Sequence, residues 1–142
     1  MKDIDIAKKL LDEENLSLVV VKNSQVIYKS YDKSIRPMYY VATSLFDKAK
    51  GSSIADKVIG KGAAMLCRMM EVEEIYALLM SETAMDVLKE ANIPFTYQRS
   101  CPYIKNMKKT GLCPIEKIAI ESKDETMLLN KIEAFLKSID RG

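Results

Sequence analysis

The sequence predicts one α/β domain spanning residues 1–142, three layers deep, with a mixed sheet of about four to five strands and helices on both faces. Three observations carry this. The short apolar runs LSLVVVK, EIYALLM and FTYQR alternate with amphipathic stretches whose apolar residues recur every third or fourth position. LSLVVVK and QVIYKSY are separated only by Asn23-Ser24, which reads as a hairpin turn. With 142 residues, 48% of them hydrophobic and 30% charged, the chain suits a single core rather than two domains or disorder.

The elements follow in order. DIDIAKKLLDEEN places Ile4, Ala7, Leu10 and Leu11 on one helix face, with Asp3 as the expected cap. After the hairpin, Pro37 suits the first turn of a helix whose face is Met38, Val41, Ala42, Leu45 and Ala49, and Gly51 is expected to end it in a left-handed cap. Ser53 with Asp56 forms a capping box, so a helix is predicted from Ser53 through IADKVIGKGAAMLCRMM. Gly60 and Gly62 weaken that helix, and their closeness implies that another segment packs tightly there or that a ligand approaches. EIYALLM is a strand, Ser81 caps ETAMDVLKEAN, Asn92 and Pro94 stop it, and FTYQR is the next strand. SCPYIKNMKKTGLC is a loop. Pro114 starts a short helix, and Ser122 with Glu125 is expected to open the last one, which buries Leu128, Ile132, Phe135, Leu136 and Ile139.

Composition excludes some chemistry. The chain has no histidine, so a Ser-His-Asp triad, a Cys-His pair and the usual histidine-containing zinc sites cannot be assembled from it. Any general base is Asp, Glu, Lys, Tyr or a thiolate. A net charge of +2 argues against nucleic acid or membrane as a partner. The N-terminal MKDIDIAKKLLDEEN lacks the apolar run of a signal peptide, so the three cysteines are expected as reduced thiols in the cytoplasm.

The middle of the chain resembles cytidine-deaminase-like domains, in which a hairpin precedes a helix opening with His/Cys-Ala-Glu, then a strand, then Pro-Cys-x-x-Cys opening a second helix. IADK stands where the first motif would be, and MSETAMDVLKEANI follows the strand where the second would be. The resemblance implies the fold but not the metal. Ile54 takes the first zinc-ligand position, Ser81 and Ala84 take the two cysteine positions, and only Asp56 keeps a carboxylate where the family's general acid/base sits. ADKVIGKGAAML, YALLMSETAMDVLKEANIP and TGLCP together more closely resemble an uncharacterised bacterial family given such a fold, domain of unknown function 1893. That likeness implies a fold and no activity.

Cys113 and Asp56 are the candidate catalytic residues. Cys113 precedes Pro114 and lies among Lys108, Lys109 and Lys117, where a helix start favours the thiolate. The bland alternative is a small half-buried hydrophobe. Asp56 would carry the proton. In the deaminase-like arrangement the starts of the Ser53 and Ser81 helices converge, and Lys57, Lys61, Ser81, Glu82, Thr110 and Gly111 are the expected ligand-binding residues for an anionic or nucleotide-like small molecule. Against this, Lys57 and Lys61 read more simply as solvated helix charges and Ser81 as a cap alone. Cys101 and Cys113 are too few to hold a metal, so no metal and no cofactor is expected. The competing reading is a non-enzymatic module that self-associates into a homo-oligomer or binds a protein partner.

Overall fold

The computed structural model describes residues 1–106 and 108–141; Met107, within the expected loop, lies outside them. Among the described residues the order is α1 (Asp3–Glu13), β1 (Leu18–Lys22), β2 (Gln25–Ser30), α2 (Arg36–Ser44), α3 (Phe46–Ala49), β3 (Ser53–Ile59), α4 (Lys61–Met69), β4 (Glu74–Ser81), α5 (Glu82–Glu90), β5 (Phe95–Cys101), α6 (Pro114–Glu121) and α7 (Glu125–Arg141). The expected α/β architecture is present. One open, mixed, five-stranded sheet runs in the order β2-β1-β3-β4-β5. β1 is antiparallel to both β2 and β3, whereas β3, β4 and β5 are parallel.

The topology explains the layers. Both parallel crossovers step the same way along the sheet, so right-handed connections put α4 and α5 on one face. That face buries the main core, in which Leu18, Val20, Ile54 and Ile75 meet Met38, Leu66, Leu88, Leu128 and Ile132. The opposite face is covered by α1, whose Ile4, Ala7 and Leu11 pack on Val19, Val21, Ala55 and Tyr76. No described helix is long and apolar enough to cross a membrane.

Five local expectations are corrected. Residues Ser53–Ile59 form β3, not the start of a helix, and α4 begins only at Lys61 with Gly60 as its N-cap. The capping-box pattern loses because β3 pairs on both sides over Ser53–Asp56, Ile54 opposite Val20 and Ile75, and a strand paired on both sides satisfies backbone groups that a helix start would leave open. The helix after Pro37 breaks at Leu45 into α2 and α3, although Gly51 does take the left-handed conformation at φ 76°. Asp3 does not cap α1. Its carboxylate accepts from the Asn23 and Ser24 N–H groups at 3.0 and 2.8 Å, holding a turn in which both residues have positive φ. At the last helix Asp124, not Ser122, accepts from the Met127 N–H (2.9 Å), while Ser122 Oγ donates back to the Ile118 carbonyl (2.7 Å). Of the residues expected to be buried there, Ile139 remains exposed.

Candidate functional site

A cleft of about 720 Å³ opens at the carboxyl ends of β3, β4 and β5, where parallel sheets commonly place ligands. Its walls are apolar. Ile35 and Met38 come from the start of α2, Ile104 from the loop after β5, Ile115 from α6, and Phe135 and Leu136 from α7. Asp32, Lys33, Arg99 and Lys105 add charges to the lining. An ion pair between Arg36 and Asp140 (2.5 Å) ties the α2 wall to the α7 wall.

Asp56 also lines this cleft. It stands on β3 opposite Leu18 and Ala77, and its Oδ1 accepts from the Val58 N–H at 3.1 Å. Burial pushes the Asp56 carboxyl up from 3.8 to about 7, outweighing the backbone N–H groups of Val58 and Lys57 that oppose the rise. Cys113 lines the same cleft at the N-cap of α6, and its N–H donates to the Ile104 carbonyl at 3.0 Å. A carboxyl able to exchange a proton near neutral pH and a thiol therefore share one apolar cavity.

Beside them lies a buried carboxylate. Glu116 is only 2% exposed. Its Oε1 accepts from the Lys61 N–H and from Thr83 Oγ1, both at 3.0 Å, and its Oε2 accepts from the Ile104 N–H at 2.6 Å. Lys61 is the first residue of α4, and Thr83 lies in the first turn of α5. The expected start at Ser53 is a strand, so the helix starts that meet are those of α4 and α5, and the carboxylate between them is the protein's own. Ser81 Oγ extends the network, contacting Thr83 Oγ1 at 2.7 Å and accepting from the Ala84 N–H at 3.0 Å. The glycines make room for it. A Cβ on Gly60 would stand 2.8 Å from Ile104 Cγ1 and 3.2 Å from Glu116 Oε2, and one on Gly62 would stand 2.8 Å from Ile115 Cγ2.

Residues 6–136 match the family described as "TM1506: Domain of unknown function (DUF1893)". The chain belongs to the DUF1893 family. The crystal structure of a DUF1893 family protein (TM1506) from Thermotoga maritima is similar to it at a TM-score of 0.79 and 25% identity, over 94% of this chain and 90% of that one. No curated protein sequence matches it significantly.

Within this DUF1893 domain the cleft is lined by Asp56, Cys113 and Lys57 and not by Lys61, Ser81, Glu82, Thr110 or Gly111. Lys57 lines the cleft, but its Nζ donates to Asn15 Oδ1 (2.9 Å), and it also lines a second groove with Lys8, Lys9 and Tyr76 beside α1. Lys61 contributes its backbone N–H to Glu116 and does not line the cleft. Ser81 is fully buried as a cap, and Glu82 is exposed on the first turn of α5. Thr110 and Gly111 are exposed outside the cleft, where Thr110 exchanges hydrogen bonds with Asn106. Sequence reasoning missed Glu116, Arg99, Lys33 and Lys105. For Glu116 one signal was available: it stands three residues before Ala119 on a short apolar helix, so both fall on the buried face. The three cations lie in a strand and two loops and carry no local signature.

Proposed function

We propose that the cleft binds a small molecule with an apolar or aromatic body and an anionic group, of the nucleotide-like class. The observation that carries this reading is the presence of Asp56 and Cys113 in one apolar cavity of about 720 Å³, a volume within the roughly 300–1,000 Å³ usual for ligand sites. Ile35, Met38, Ile115 and Phe135 would hold the ligand's body, Asp56 would bond a polar group on it, and Lys33, Arg99 and Lys105 would face its charge. This differs from an anion seated at the helix starts, because Glu116 already fills that position. In the catalytic form of the proposal Cys113 is the nucleophile and Asp56 the proton carrier.

The scaffold belongs to the proposal as well. The hairpin followed by alternating helices and strands supports a cytidine-deaminase-like arrangement without zinc ligands, Ser81 and Ala84 standing at the cysteine positions of that resemblance. Ile54 and Asp56 lie within β3 rather than opening a helix, so the likeness rests there on element order and not on the motif.

The test uses nucleoside monophosphates, their parent nucleosides and the apolar sulfonate dye 1-anilinonaphthalene-8-sulfonate. At least one anionic probe should raise the melting temperature and slow alkylation of Cys113, and a Lys33→Ala/Lys105→Ala double variant should weaken that probe more than the matched nucleoside. Failure of every probe both to bind the native protein and to protect Cys113 would remove the reading.

A further inference from the structure

The sheet ends in two different edges. At one end β2 presents the exposed Lys29, which pairs with Glu14 at 2.8 Å, and the β1–β2 register shifts at Val20/Val21. Charge and irregularity of this kind discourage strand addition. At the other end, residues 96–100 of β5 are all exposed. β5 has neither proline nor lysine, and it pairs with β4 without a register shift. The Ile75 N–H donates to the Pro94 carbonyl at 3.0 Å, so the backbone groups of Thr96, Gln98 and Ser100 face β4 while those of Phe95, Tyr97, Arg99 and Cys101 face outward. Among the described residues nothing hydrogen-bonds those outward groups.

We propose that β5 is the interface of a two-fold homodimer, in which two copies of the strand pair antiparallel about Gln98 and join the two sheets. The strand's own sequence selects this register. Outward-facing residues must meet outward-facing residues, which restricts the axis to Tyr97, Gln98 or Arg99 if most of the strand is to pair. An axis at Arg99 would set two guanidinium groups opposite each other, and an axis at Tyr97 would leave Cys101 unpaired. The axis at Gln98 pairs the strand along its length, with Phe95 opposite Cys101 and Thr96 opposite Ser100. It also sets Tyr97 opposite the second copy's Arg99, twice, as aromatic–cation pairs on one face. About eight main-chain hydrogen bonds result, and the interface is isologous. Arg99 lines the cleft, so the second copy's Tyr97 would stand at the rim of each cleft. The proposal does not depend on the cleft having a ligand.

The test is light scattering on the eluting full chain, with three variants. The wild type should run at twice its 16.1 kDa at tens of micromolar. Gln98→Lys sets two ammonium groups on the axis, and Tyr97→Pro removes an outward N–H without touching the β4 ladder. Each should raise the dimer dissociation constant at least tenfold while circular dichroism stays unchanged. Gln98→Cys should form an inter-copy disulfide under mild oxidation, and Thr96→Cys should not. A monomeric wild type would leave the edge to a strand from another protein and would overturn the proposal. So would a dimer indifferent to Gln98→Lys, or crosslinking through Thr96→Cys. Should Tyr97→Pro fail to fold, Gln98→Lys and the two cysteine variants still decide the matter.

Discussion

Replacing Glu116 tests how the site is held. Its carboxylate accepts from the Lys61 N–H, Thr83 Oγ1 and the Ile104 N–H, at 3.0, 3.0 and 2.6 Å, and is 2% exposed. Glu116→Ala orphans three donors, two of them at helix starts that attract negative charge. An unsatisfied buried donor costs about 1–3 kcal/mol. Water entering the vacated space recovers part of that, so a loss of about 3–5 kcal/mol is expected, a large share of the roughly 5–15 kcal/mol that stabilises a domain. Glu116→Gln is the sharper perturbation. Its carbonyl oxygen can still accept from Lys61 and Thr83, but its amide then meets the Ile104 N–H, donor against donor. A loss of about 1–3 kcal/mol follows. The Ile104 carbonyl in turn accepts from the Cys113 N–H at 3.0 Å, so freeing Ile104 loosens the segment that carries Cys113. The assay combines urea denaturation followed by circular dichroism with native-state alkylation of Cys113 read by mass spectrometry. Both variants should lower the midpoint, and both should speed labelling of Cys113 under conditions where the protein stays folded. A Glu116→Gln protein within about 0.5 kcal/mol of wild type, with unchanged Cys113 labelling, would refute the bridging role.

The other expectations are simpler. The folded state retains a proton on Asp56 that the unfolded chain releases at about pH 4, so the stabilising contribution of the neutral carboxyl is full below pH 3.8 and lost as pH rises through about 7. At 1.36 kcal/mol per pH unit the full rise corresponds to about 4 kcal/mol. Solvent reaching the cleft lessens this to about 2–4 kcal/mol, a pH-dependent loss that Asp56→Asn should abolish; parallel pH profiles for the two proteins would contradict it. Gly62→Ala gains up to about 1 kcal/mol of helix propensity but drives a methyl to 2.8 Å from Ile115 Cγ2. A net loss of about 1–2 kcal/mol is expected, against no change for Gly111→Ala, which meets nothing within 4 Å, and equal melting temperatures for the two would count against the close packing. Iodoacetamide should label Cys113 before Cys101, whose thiol is pushed up by burial and by the Glu116 and Glu82 charges, and Cys67 last, since it is fully buried; Cys113 reacting no faster than Cys101, or only after unfolding, removes it as the nucleophile. Lys57→Ala and Lys61→Ala should each shift stability by less than about 1 kcal/mol, and unfolding by either would make it structural.

Local chemistry determined much of this protein from the sequence alone. The positions of the turn at Asn23-Ser24, the Ser81 cap, the left-handed Gly51 and the proline at the start of α6 are each signalled within a few residues, although Asp3 and the Met70 carbonyl, about twenty residues away, complete the first turn and Gly51. The backbone conformation of a turn or cap is set by the residues in it, so its signature is legible there. The tight approach at Gly60 and Gly62 was legible as well, although not what would fill it. Tertiary structure decided β3. SIADKVI carries a capping-box pattern, yet its partners Leu18–Val21 and Glu74–Met80 lie tens of residues away, and pairing with both overrides the local preference. The same pairing fixed where Asp56 lies, because a strand and a helix start aim the same residue differently. Glu116 shows the limit most clearly. Two converging helix starts favour an anion, but neither start encodes whether a ligand or the chain itself supplies it. That depends on α6 folding back across α4, a contact between segments about fifty residues apart.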